Sequence, residues 1–257
     1  MSNTVTYLDK EVITNNMIID KDVSVINYAI KPNENNLSIT LKPNVNCTMV
    51  SYLHDDVESS FNLKVTVEEN ASFTMYNIVT SNQNVNIDIN CKLEGINASF
   101  NNMSVILSRG KANCNSLINV DHLAYQTSSN TEIYAIAKDF SKIKIDNNAS
   151  IKKGCAKSVA HQKAKGLTLN KNAVIKALPN LFIDEYDVIA NHAASIGSLN
   201  PDDLFYLMSR GLTKEEASKI IISGFITPLV ESINDPKTKK MILDNFMEKT
   251  SLKDEGE

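Results

Sequence analysis

Short apolar–polar alternations, separated by corners built from Asn and a small residue, constrain this chain more than anything else in it. Val23-Ser24-Val25-Ile26, Leu37-Ser38-Ile39-Thr40-Leu41, Leu63-Lys64-Val65-Thr66-Val67, Val85-Asn86-Ile87-Asp88-Ile89 and Ile143-Lys144-Ile145 alternate with period two and favour β-branched residues. That is the pattern of half-buried strands. Asn70-Ala71-Ser72, Asn97-Ala98-Ser99, Asn148-Ala149-Ser150 and Asn172-Ala173-Val174 flank such runs at intervals of 27, 51 and 24 positions. The middle interval reads as two units of the others, so the period is near 25, and a fixed period of that size indicates stacked coils. Asn suits a tight corner because its short side chain tolerates left-handed backbone and bonds locally. Ala then packs where little room remains. Several short strands per coil build either a β-helix or a stacked β-sandwich. Three of the triplets also read as glycosylation sequons, which matter only on a secreted chain.

The β-rich text occupies residues 20–198, behind an N-terminal segment at 1–19. Character changes at 199–250. Asn200-Pro201-Asp202-Asp203 supplies an N-cap, a Pro at the first helical position and acids near the positive end of the dipole. This helix carries Leu204, Phe205, Leu207 and Met208 and stops at Gly211. Thr213-Lys214-Glu215-Glu216 is a capping box for a second helix, bearing Ala217, Ile220, Ile221 and Ile222 and ending near Gly224. Thr227-Pro228 and Asp235-Pro236 open two more, and a polar tail follows at 251–257. Four short helices bury little among themselves, so they pack on the β part, on a partner, or on both. The expected class is mainly β, a solenoid followed by a small C-terminal α-helical segment.

Most chemistry is excluded. A net charge of −4 argues against a nucleic-acid partner. No run approaches 18 apolar residues, so no membrane span is expected. The N-terminal MSNTVTYLDK lacks a basic region followed by an apolar one, which makes a cytoplasmic chain the expectation. There is no Gly-rich phosphate loop, GxSxG elbow or HExxH pair. Cys47, Cys91, Cys114 and Cys155 form no close pair and read as reduced, mostly buried thiols. His54, His122, His161 and His192 are dispersed, with His122 and His161 read as structural. His192 lies in the last strand-like unit, Val188-Ile189-Ala190-Asn191-His192-Ala193-Ala194-Ser195-Ile196-Gly197. Its small neighbours suit close contact between backbones or subunits, with His192 either a ligand or a hydrogen-bonded structural residue. Asp184, Glu185 and Asp187 are either a solvated β-edge or a glycosidic acid–base pair on a strand. The latter would make this a β-helical carbohydrate-binding or carbohydrate-active protein. No Trp and 6% aromatics weigh against that.

Asn191-His192-Ala193-Ala194-Ser195-Ile196-Gly197-Ser198-Leu199, followed by Asp203-Leu204-Phe205-Tyr206-Leu207-Met208-Ser209-Arg210-Gly211-Leu212, resembles the SufB/SufD family. Glu215-Glu216-Ala217 through Gly224-Phe225 continues the match. So do Asp121-His122 with Thr127-Ser128-Ser129, Ala160-His161-Gln162, and Lys176-Ala177-Leu178-Pro179-Asn180-Leu181. The resemblance covers roughly residues 115–235. It implies a right-handed parallel β-helix and a non-enzymatic scaffold of SUF iron–sulfur cluster assembly. The implied partners are a SufC-like ABC ATPase, which supplies the nucleotide site, and either a SufB-like subunit or a second copy. The implied cargo is a transient iron–sulfur cluster whose ligands are shared with the partner. His192 matches the SufD interface histidine and is the metal-site candidate. The SufB cysteine position is Ala164 here, and the cysteine that SufD proteins often carry two residues before the histidine is Ala190. The chain therefore reads as a compact SufD-like member. Leu204, Phe205, Leu207, Arg210, Ile220, Phe225 and Leu229 are the candidates for partner binding, and their apolar members serve equally as internal core.

Overall fold

Each strand bonds to the strand two places along the chain and not to its sequence neighbour, because every coil contributes one strand to each of two parallel sheets. The structure, a computed structural model, describes residues 7–8, 15–53 and 57–233. Beyond these it describes Pro236, Lys239, Lys240, Leu243, Asp244, Phe246 and Lys249, all helical. His54, Asp235 and the tail at 251–257 lie outside the described residues.

In chain order the strands begin with β1 (Tyr7–Leu8), β2 (Asn16–Ile19), β3 (Val23–Ala29), β4 (Asn33–Leu41), β5 (Asn46–Leu53), β6 (Ser59–Val67), β7 (Ser72–Ser81) and β8 (Val85–Leu93). They continue with β9 (Ser99–Ser108), β10 (Asn113–His122), β11 (Ser128–Ala137), β12 (Lys142–Ile151), β13 (Val159–Thr168), β14 (Val174–Ile183) and β15 (Ile189–Ser198). Odd strands form one sheet and even strands the other. All five alternating runs fall within strands, and the result is the parallel β-helix that the repeats and the resemblance imply.

The corners explain the stacking. Asn44, Asn70, Asn97, Gln126 and Lys157 each precede an odd strand by two residues, and each has a positive φ of 54–63°. Each donates its backbone N–H to a carbonyl of the next coil, as Asn70 does to Ile96 and Asn97 to Tyr125. The Asn97 amide also donates to the Asn70 Oδ1, and Asn70 to Asn44. Behind them Val45, Ala71, Ala98, Thr127 and Ser158 are all buried, so the residue after the corner packs into the coil and none is larger than Val. The period is not a constant 25. Register partners are 26 residues apart at β5/β7, then 27, 29, 31 and 30 at the following odd pairs. Asn148 is also not a corner. It lies within β12, in a ladder in which Asn180, Asn148 and Asn119 each donate to the Asn before them, down to Asn90.

Inside the coils Phe61, Phe73 and Phe100 are fully buried, with Phe73 and Phe100 stacked at 6.0 Å. All four cysteines are free and buried, as expected. The far ends of β7, β9 and β11 are buried on both faces, which replaces alternation with apolar runs such as Val105-Ile106-Leu107. The cover is helical. α1 (Pro201–Ser209) buries no residue, whereas α2 (Lys214–Ser232) lays Ile222, Ile226 and Val230 on Val105, Leu107, Tyr134, Ile136 and Leu167. The Asn200 cap, the Gly211 turn (φ 96°) and the Thr213–Glu216 capping box form as their residues imply. Gly224 and Thr227-Pro228 do not divide the helix, because α2 runs through both. Pro removes one i→i−4 bond and its ring crowds the carbonyl four residues back. Here that carbonyl belongs to exposed Gly224, where the backbone is free to tilt, and the packing of Ile222 and Ile226 on the sheet holds the helix together.

Candidate functional site

The solenoid ends on β14 and β15, each with a partner strand on one side only among the described residues. Register partners on parallel strands project to the same face, so a side chain's direction follows from its column. One column runs Met49, Met75, Asn102, Thr131, Gln162, His192. Its buried members make it an interior column, and it changes from apolar to polar towards the C-terminal coil. The buried polar members are hydrogen-bonded, Asn102 along its own strand and Thr131 and Gln162 across the interior. Asn102 pairs with Ser104, and Thr131 and Asn147 exchange contacts of 2.8 and 3.2 Å. Gln162 donates through Nε2 to the Asn180 carbonyl at 3.3 Å, tying the two sheets together. His192 stands last, exposed at the open end and, among the described residues, without a hydrogen bond.

Ala164 and Ala190, the two positions that the resemblance associates with thiols, converge on this point. Ala190 is two residues before His192 on the same face. Ala164 is in register with Ala194, two residues after it. Of the chain's own cysteines, Cys155 lies in the buried cluster against which Ala190 packs, and Cys47, Cys91 and Cys114 are buried in the core of the earlier coils. Burial pushes the Cys47 and Cys114 thiols up to about 12 and raises Cys91 and Cys155 as well. Cluster ligation needs the thiolate. Among the described residues no three His, Cys, Asp or Glu side chains gather into a metal site.

The other histidines are placed differently. His122 is fully buried between Thr127 Oγ1 (2.8 Å) and Ser129 Oγ (2.9 Å), and Thr127 continues to Ser158 at 2.8 Å. Burial lowers its pKa to about 4, so it is a neutral strut. His161 faces outward and meets Asn191 Oδ1 at 2.9 Å. Asp184, Glu185 and Asp187 are not on a strand; they form the corner between β14 and β15. Glu185 accepts from the backbone N–H groups of Gly154 and Tyr186, which hold its carboxyl below the usual range, and Asp187 pairs with Lys157 at 2.8 Å. A glycosidic acid needs a raised pKa, the opposite of what this corner produces.

Two features escape a reading of sequence alone. Gln162 gives no periodic signal. The terminal coil exposes Leu178, Phe182, Ile183, Ile189 and Ile196, with Ile189 at 62% and Phe182 at 56%. The signal for these was the nearly continuous apolar text of 174–183, which normally marks a strand covered on both faces.

Of the helical candidates, Phe205 (74% exposed) and Ile220 are open to solvent, Leu204 and Leu207 are half-buried, and Arg210 lies over the Tyr206 ring at 5.3 Å. Phe225 turns inward, edge-on to Tyr134 at 5.6 Å. Leu229 is in α2, but its side chain lies outside the described residues.

A two-sheet parallel β-solenoid with an open, apolar last coil and a helix strapped along one sheet defines the class. The family model for "SUF system FeS cluster assembly, SufBD core domain" matches residues 31–225, and the chain belongs to that family. It is 34% identical over 140 residues to the iron–sulfur cluster assembly protein SufD of Bacillus subtilis, covering 54% of this chain and 32% of the relative. A SufBD family protein of Mycobacterium bovis is 25% identical over 215 residues, 73% of this chain and 25% of the relative. Escherichia coli SufD is 34% identical over 77 residues, 30% of this chain and 18% of the relative. The chain thus spans about a third or less of the length of these relatives. No helix among the described residues is long and apolar enough to cross a membrane.

Proposed function

We propose that the chain is a non-enzymatic, SufD-like scaffold subunit of a SUF assembly complex, in which the open coil pairs with a SufB-like subunit or a second copy. The observation that carries this reading is the terminal coil itself. Its apolar residues are exposed where their sequence pattern calls for cover, and His192 ends the interior column at that surface. The cluster is cargo. A neutral imidazole at His192 ligates iron, while thiolates, the usual cluster ligands, come from the partner. The β-helix and the helical segment divide the work, the first pairing and the second docking a SufC-type ATPase through Leu204, Phe205, Leu207, Arg210 and Ile220. Phe225 is assigned to the internal strap. A cytoplasmic setting fits thiolate chemistry. Nucleotide-driven movement of the ATPase opens the interface only if its two states bind these helices with different affinity.

The test is anaerobic co-expression with the organism's SufC-like ATPase and SufB-like subunit, then size-exclusion chromatography with iron and sulfide analysis. A stable complex whose iron falls in His192→Ala supports the reading. A complex with equal iron in both forms removes His192 from the site. Absence of any complex removes the docking assignment.

A further inference from the structure

Two polar groups at the end of the interior column lack partners, and they are one register step apart. Gln162 is 3% exposed, its Nε2 is engaged with Asn180, and its Oε1 is buried without a hydrogen bond. A buried acceptor left unmade is costly, because it has given up water for nothing, so it points to a partner that satisfies it. The next residue in the column is His192. Adjacent strands lie about 4.8 Å apart, within the combined reach of a Gln amide and an imidazole. A neutral imidazole always carries one N–H.

We propose that Gln162 is the positioning residue of His192, its Oε1 accepting one imidazole N–H so that the other ring nitrogen points its lone pair out of the open end. This rests on the reading of His192 as a cluster site and deepens it. A histidine that can donate from either nitrogen presents its lone pair in two directions. Fixing the tautomer selects one, as metal-binding histidines generally require of the groups behind them. Gln162 is suited to this because its amide is pinned from the other side. With Nε2 held by the Asn180 carbonyl, Oε1 is the end left to face the last coil. Asn102 and Thr131, below it in the column, are already satisfied by Ser104 and Asn147.

Nitrogen-15 NMR of the full chain, labelled at histidine, tests the contact directly. In the wild type His192 is expected as one predominant neutral tautomer. Gln162→Leu, which keeps the bulk and loses the acceptor, is expected to give a mixture. Gln162→Glu keeps an acceptor oxygen, loses the Nε2 bond to Asn180, and is expected to keep one His192 tautomer predominant. If Gln162 only bridges the sheets, Glu and Leu are equivalent at His192. An unchanged tautomer ratio in both variants overturns the proposal. Iron in the assembled complex is read in parallel. Gln162→Leu is expected to lose roughly 10- to 100-fold in iron affinity, the usual effect of removing such a partner, with Gln162→Glu retaining more. Undiminished iron in His192→Ala overturns the cluster-site reading instead, and the Gln162 contact is then decided by the tautomer ratio alone.

Discussion

One residue per coil is left-handed at the corner before each odd strand from β5 to β13, and the chain meets that demand unevenly. Asn44, Asn70 and Asn97 are side chains that tolerate it, while Gln126 and Lys157 are not favoured there. Gln126→Asn is expected to stabilise the protein by up to about 1 kcal/mol, through relief of strain and extension of the Asn ladder. Urea unfolding of the two forms decides it, and a less stable Asn variant shows that Gln126 makes compensating contacts. His122 gives a pH dependence of definite sign. Its folded pKa, about 4, lies below the ordinary 6.5, so below pH 6.5 the unfolded chain takes up a proton that the folded chain does not. The contribution is complete above pH 6.5 and is lost as pH falls towards 4. The loss is about 2 kcal/mol at pH 5. Unfolding free energies from urea titrations at pH 7.5 and 5.0 are expected to differ by that much more in the wild type than in His122→Gln.

At the scale of the element, α2 has two faces of different exposure, and the proposed docking uses the open one. Ile222 and Ile226 are fully buried against the sheet, whereas Ile220 is exposed. Ile222→Ala is expected to cost about 2–4 kcal/mol, the usual cost of a truncated core side chain, measured as a lowered thermal midpoint. Ile220→Ser is expected to change stability by less than about 0.5 kcal/mol and to weaken retention on the immobilised ATPase. Equal retention of Ile220→Ser and wild type assigns that face to solvent.

For the whole molecule, the open end is the surface on which the proposed pairing rests. Parallel coils leave an edge wherever stacking stops, and exposed edges pair unless charge or shape prevents it. Here the edge strands carry Phe182 and Ile189 outside the core. The purified chain is expected to self-associate with rising concentration in light scattering, and a Phe182→Glu, Ile189→Lys double variant to remain monomeric with an unchanged thermal midpoint. A monomeric wild type at all concentrations restricts this surface to a different partner.

The sequence by itself determined the repeat, the strand class, the left-handed corners at Asn70 and Asn97, though not at Asn148 or Asn172, and both helix starts at Asn200 and Thr213. Each of these is local, resting on alternation, corner sterics or cap hydrogen bonds within a few residues. It also singled out His192 as a candidate, through the small residues around it and a family resemblance. What only the tertiary structure decided is non-local. The period stretches from 26 to about 30 because later coils carry longer strands and corners. Pro228 is tolerated in α2 because the sheet holds the helix. Gln162 acquires meaning only from its register with His192 and from the Asn180 carbonyl across the interior. Column membership is set by stacking residues some thirty positions apart, a distance over which no local propensity carries information.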